Sequence, residues 1–130
     1  MHIRTDCLPW PVSNKLVAIL EHELPSLADS GIVLSFRDPK YSPQAGGFHP
    51  VEVAVASDGC IQYATDFAYY GNPPYSELGK EIDFDFSLGL FQHFDREFPI
   101  MAGRELFQLW ESNFVTYYGM GVYSVSAEPF

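Results

Sequence analysis

Leu16, Leu20, Leu24 and Leu27 recur at helical spacing, with Glu21, His22 and Glu23 on the opposite face, and predict a first helix over residues 13–28. Ser13 supplies an N-cap, and Val12 and Val17 occupy the positions of a hydrophobic staple around it. Pro25 has no amide hydrogen to give and crowds the preceding turn, so the helix is expected to end or kink just before it. Beyond Gly31 the period becomes two. Ile32, Leu34 and Phe36 oppose Val33, Ser35 and Arg37 over residues 32–37, and Val51, Val53 and Val55 oppose Glu52, Ala54 and Ala56 over residues 51–57. A third strand over residues 60–70 is expected to put Ile61, Tyr63, Thr65, Phe67 and Tyr69 on one side.

Face matching decides the turn between these last two strands. A two-residue Asp58-Gly59 loop would set Val55 opposite Gln62 and mix apolar with polar faces. A three-residue loop, Ser57-Asp58-Gly59, pairs Val55 with Ile61 and Val53 with Tyr63, and puts Gly59 at the left-handed position such loops require. Residues 71–75, Gly-Asn-Pro-Pro-Tyr, form a loop. Residues 80–87 alternate again, with Ile82, Phe84 and Phe86 inward and Glu81, Asp83 and Asp85 outward. Residues 88–98 fit either another strand or an irregular crossing.

Pro99 is placed to begin a second helix with the stripe Leu106, Phe107, Trp110, Phe114 and Tyr117. Gly119 and Gly121 end it, and residues 122–128 read as a closing strand. Short hairpin links imply an antiparallel sheet with both helices packed on its apolar face, an α+β fold. At 130 residues the chain fits a single domain, 1–130. Tyr70, Tyr75 and several Phe find no place on one inner face.

Charge narrows the partners. Seventeen Asp and Glu against seven Lys and Arg give a formal net charge of -10, which argues against nucleic acid and favours, by sign, a basic protein. Aromatic residues make up 16% of the chain, so the core or a subunit interface has to absorb an unusual number of rings. No stretch approaches the ~20 apolar residues of a membrane helix, and the N-terminus has no uninterrupted apolar run of a signal peptide. Cys7 and Cys60 can pair, but nothing in the sequence requires it. The expectation is a cytoplasmic protein with reduced thiols.

The candidate binding residues fall in two groups. The connector over residues 37–50 is longer than a hairpin needs and gathers Arg37, Asp38, Tyr41, Phe48 and His49, a set able to hold an anion or move a proton. Against that, Asp-Pro and Gly-Gly are turn chemistry, Arg37 and Asp38 can pair with each other, and Phe48 can plug the core. Glu81, Asp83 and Asp85 form the second group, three carboxylates on one strand face roughly 6.5–7 Å apart. Such a stripe holds a hard cation, meets a basic partner, or is a solvated sheet face. The four histidines show no HxH or HExxH spacing, and no GxSxG, P-loop or GxGxxG occurs. No catalytic residue, metal or cofactor is therefore expected.

The run Phe36-Arg37-Asp38-Pro39, then Tyr41-Ser42, then Gly46-Gly47-Phe48-His49-Pro50-Val51-Glu52 resembles the signature of a small family of unknown function from Vibrio and related gammaproteobacteria, often encoded on mobile or pathogenicity islands. Asp83-Phe84-Asp85-Phe86, Leu106-Phe107-Gln108-Leu109-Trp110 and Asn113-Phe114 are similar to it too. That family in turn resembles in fold the mitochondrial glycoprotein family, which includes the receptor for the globular heads of complement C1q. The resemblance implies a twisted antiparallel sheet flanked by terminal helices, an acidic surface and ring-like protein-binding oligomers. The strand-like end over residues 122–128 departs from that pattern. The resulting expectation is a non-enzymatic, homo-oligomeric interaction domain, with a small-molecule binder or enzyme using the Arg37–His49 loop as the alternative.

Overall fold

The computed structural model describes residues 1–130. Helix α1 (Asn14–Glu23) precedes strands β1 (Ile32–Arg37), β2 (Val51–Val55), β3 (Ile61–Tyr70), β4 (Glu77–Asp85), β5 (Leu90–His93) and β6 (Arg96–Pro99). A 3-10 turn (Ile100–Gly103), helix α2 (Arg104–Gly119) and strand β7 (Ser124–Pro129) follow. The strands form one seven-stranded antiparallel sheet in the order β6-β5-β4-β3-β2-β1-β7. Leu16 and Leu20 of α1 and Phe107, Trp110 and Phe114 of α2 share one buried cluster with Val53, Ala64, Phe84 and Phe91 of the sheet. This is the expected α+β arrangement, a sheet with a helix from each end of the chain.

Local chemistry sets the helix ends. Ser13 Oγ accepts the Lys15 amide hydrogen at 3.1 Å, and α1 stops at Glu23, two residues short of Pro25. The helix expected to reach residue 28 is thus shorter, and Leu27, counted in its apolar stripe, is 92% exposed. Pro99 begins the 3-10 turn rather than α2, which starts at Arg104. A side chain at Gly103 would meet the Phe91 ring at 2.7 Å, so only glycine lets α2 enter this close to β5. Residues 88–98, open from sequence, supply strand β5 and most of β6.

The Ser57-Asp58-Gly59 turn forms as expected, with Gly59 at φ +92° and Val55 opposite Ile61. The next expected pair does not form. An irregularity after Val55 slips the register, so Ala54 meets Tyr63 and Val53 meets Ala64. Ala64 therefore takes the core position, while Tyr63 and Thr65 turn to the outer face. There the Tyr63 hydroxyl donates to Glu52 at 3.0 Å and the Thr65 hydroxyl to Asp83 at 2.8 Å. A second bulge pairs Asp66 with Ile82 but Phe67 with Lys80, leaving Glu81 as the extra residue. The expected single stripe of Glu81, Asp83 and Asp85 is broken there. Asp83 and Asp85 pair with Thr65 and Tyr63 on the outer face, and Glu81 is aimed elsewhere.

Cys7 and Cys60 form a disulfide, which corrects the expectation of reduced thiols. The Arg4 amide donates to Gly59 O at 2.9 Å and lays the N-terminal segment along the β2–β3 turn, bringing Cys7 to Cys60 across 53 residues. Closing a loop of that length removes much unfolded-chain freedom. Replacing both cysteines with serine is expected to lower unfolding stability by about 2–4 kcal/mol in urea titration. Thiol labelling of the unreduced protein should find no free cysteine.

Candidate functional site

The 38–50 segment is held open by its own carboxylate. Asp38 Oδ1 accepts the Lys40 amide hydrogen at 2.9 Å, and Oδ2 accepts that of Phe48 at 3.0 Å. The Phe48 bond first, then the Lys40 bond, holds the Asp38 carboxyl below its ordinary pKa. Gly47, at φ +130°, passes so close to Asp38 that a Cβ would stand 2.9 Å from Oδ2. Tyr41 lies at 5.1 Å from the Tyr69 ring and 5.3 Å from the His49 ring, and its hydroxyl oxygen accepts the Tyr69 amide hydrogen. These contacts set His49 at the entry to β2, facing β3 and β4.

Three ionisable side chains converge there from three places in the chain. His49 Nδ1 lies 3.1 Å from Asp66 Oδ1 and 2.9 Å from Glu81 Oε2. Asp66 comes from the middle of β3, and Glu81 is the extra residue of the β4 bulge. Their side chains are only 16% and 24% exposed. Trp110 of α2 donates its indole hydrogen to the second oxygen, Asp66 Oδ2, at 3.2 Å. One hydrogen on His49 Nδ1 faces two carboxylate oxygens: it bonds Asp66 Oδ1, and Glu81 Oε2, sealed from solvent and 2.9 Å away, receives no well-aligned hydrogen bond of its own.

The cluster forms one wall of a cavity of about 350 Å³ between α2, Tyr123 just before β7, the 47–51 segment and β3–β4. Apolar walls come from Phe48, Leu106, Leu109, Trp110, Phe114 and Tyr117, with Asn113 and Tyr123 adding polar groups. Burial first, with the Asp66 charge adding, pushes the Tyr123 phenol above its ordinary pKa, so it remains a neutral hydroxyl donor near pH 7.

Of the residues singled out in the sequence, Phe48, His49 and Glu81 line this cavity. Asp38 and Tyr41 lie behind it as scaffold. Arg37 is exposed and pairs in register with Ser124, with no ion pair to Asp38. Asp83 and Asp85 lie on the opposite sheet face. Asp66, Leu106, Leu109, Trp110, Asn113, Tyr117 and Tyr123 were not singled out as site residues. Asp66 carried a faint signal, a lone carboxylate inside a strand otherwise rich in aromatic and small residues.

Residues 13–128 match a family model described as a protein of unknown function, DUF2787. The chain belongs to this family. Among solved structures it is similar to a hypothetical protein of the Vibrio cholerae VSP-II pathogenicity island, at 41% identity and a TM-score of 0.81, covering 97% of this chain and 98% of that one. It is also similar to a conserved hypothetical protein of the Vibrio cholerae pathogenicity island VPI-2, at 40% identity and a TM-score of 0.74, covering 91% and 95%. That second protein is described as sharing structural homology with human P32, so the resemblance read from the loop motif holds. No curated protein matches the sequence.

The Asp66 hydrogen bond, ahead of the opposing effect of burial, raises the pKa of His49 above its ordinary value, and the Asp66 and Glu81 charges add to the rise. A base whose pKa is higher when folded contributes stability that is complete below the unfolded value, near 6.5, and is lost as pH rises through the folded value. Wild type should therefore lose stability relative to His49→Gln between pH 6 and 8 in parallel urea titrations. A constant difference across that range would contradict a charged His49 between the two carboxylates.

Proposed function

We propose that this DUF2787 protein binds a small molecule in the α2–sheet cavity, an apolar body against the aromatic wall and a polar head at His49, Asp66 and Glu81. The observation carrying this is the union of a cavity of about 350 Å³ with converging ionisable groups. Ligand sites of about 300–1,000 Å³ combine apolar walls with a few placed polar groups in the same way. The reading is of a binding site, because a cavity with a few converging polar groups is what binding requires. Asn113 is exposed on α2 at the cavity mouth, so Asn113→Trp should obstruct entry without touching the core. A fragment screen followed by saturation-transfer NMR is expected to give ligands whose binding this change abolishes while the melting temperature holds. Hits indifferent to Asn113→Trp would place binding elsewhere.

A second reading, a homo-oligomeric interaction domain for a basic protein, draws on the outer sheet face. Strand register puts Glu52, Asp85, Glu97 and Glu128 on that one face, on a chain of net charge -10. Its predictions are a multimer by light scattering and binding of a lysine-rich peptide that weakens as salt rises. A monomer that ignores the peptide at low salt would rule it out. We extend to this chain the pathogenicity-island setting of its two relatives. The Cys7–Cys60 disulfide supports an oxidising compartment over the cytoplasm expected from sequence, where thiols are kept reduced. No helix is long and apolar enough to cross a membrane.

A further inference from the structure

We infer that His49, Asp66 and Glu81 form a binding site for one divalent transition-metal ion of the zinc class, at the polar end of the cavity. The part of this inference that concerns what fills the ion's remaining positions rests on the small-molecule reading above; the ion site itself does not.

Donor type comes first. One imidazole nitrogen and two carboxylate oxygens make a mixed set of the kind that holds zinc and its neighbours, whereas calcium and magnesium prefer oxygen alone. Spacing comes second. The three donor atoms lie within 4.8 Å of one another, and Nδ1 stands 3.1 and 2.9 Å from the two oxygens. Bonds of about 2.0–2.1 Å at tetrahedral angles require donors about 3.3 Å apart, so the nitrogen reaches ligand spacing from each oxygen after a spread of a few tenths of an ångström. An organic ammonium hydrogen-bonded to the same atoms at about 2.8 Å would need them roughly 4.6 Å apart, and the nitrogen stands much closer to each oxygen than that.

Charge comes third. The only basic group in contact with the two carboxylates is His49, and its one Nδ1 hydrogen cannot point at both oxygens, which leaves buried Glu81 Oε2 without a well-aligned bond. An ion replaces that hydrogen and satisfies all three donors at once. Lys80, the nearest basic residue in sequence to Glu81, is engaged with Asp83 at 3.6 Å. Support comes last. The Trp110 indole fixes the second oxygen of Asp66, as outer-shell partners commonly orient a ligating carboxylate, and the bulge in β4 exists where Glu81 must be re-aimed. Three protein donors leave a tetrahedral ion one open position, and all three residues line the cavity from which it can be filled. A water or the head of a bound small molecule completes it.

The test uses the full chain, treated with chelator and then titrated with Zn²⁺ alone by calorimetry and with Co²⁺ by visible absorption. One ion per chain and the ligand-field bands of a four-coordinate Co²⁺ site are expected. Asp66→Asn and Glu81→Gln should each weaken Zn²⁺ by more than tenfold, and Trp110→Phe, which removes the supporting hydrogen bond along with part of a buried ring, by about 10–100-fold. His2, exposed near Glu21 at the chain terminus, is the competing surface site, and His2→Ala should leave affinity unchanged. Circular dichroism of each metal-free variant establishes that it is folded; His49→Gln stands in for any that is not. No saturable binding by folded wild type at millimolar Zn²⁺ overturns the proposal, as does binding that survives Glu81→Gln and Asp66→Asn but is lost in His2→Ala. Because no small molecule enters the titration, failure here leaves the Asn113→Trp result to judge the cavity separately.

Discussion

Both helices lie on the same side of the sheet, so every strand must turn its apolar side chains to that one face or leave them in water. Alternation does this over a few residues. In a strand as long as β3 it conflicts with the register fixed by the neighbouring hairpins, and the conflict is relieved by an extra residue on one strand. Two such residues, at the β2–β3 and β3–β4 pairings, decide which side chains are core and which are not. Ala64 and Phe84 reach the helices because of them. Thr65 and Asp83 close a polar contact behind the sheet for the same reason.

α2 carries the rest of the packing and the edge of the site on one surface. Its Phe107 and Phe114 meet Phe84 and Phe36 edge-on and Trp110 lies tilted against Phe84, while the rings of Trp110 and Phe114 stack on each other. The Trp110 ring is therefore fixed by the core before its indole hydrogen reaches Asp66. The polar cluster inherits rigidity from an apolar one, at the boundary where the aromatic packing stops and the 38–50 segment crosses over. The high aromatic content, unassigned from composition alone, goes largely into this layer and the cavity wall.

The fold class, the helix-and-strand order and the Gly59 turn could be read from periodicity, because a one-sided sheet writes its faces into alternate residues. The site was half legible. The length and turn chemistry of the 37–50 connector pointed to His49, and Glu81 drew notice for the wrong neighbours. What alternation cannot show is a change of phase. Counting by twos through residue 81 keeps Glu81 beside Asp83, counting through residue 62 keeps Tyr63 in the core, and each error comes from its own uncounted extra residue. Asp66 and Trp110 are joined to His49 only by tertiary structure, 17 and 61 positions away, where no linear spacing records them.

The bulge at Glu81 has one further effect. By sending Glu81 to one side and Asp83 and Asp85 to the other, it puts negative charge on both sides of a single backbone layer. Charges about 10 Å apart across such a layer interact by about 0.4–1.7 kcal/mol for effective dielectric constants of about 80 to 20. The two faces are therefore thermodynamically linked. A basic protein that neutralises the outer face weakens the attraction of the cavity for a cation, and an occupied cavity repels the basic protein to the same degree, as reciprocity demands. Two ligands would then oppose each other by about 2- to 20-fold in affinity with no moving part.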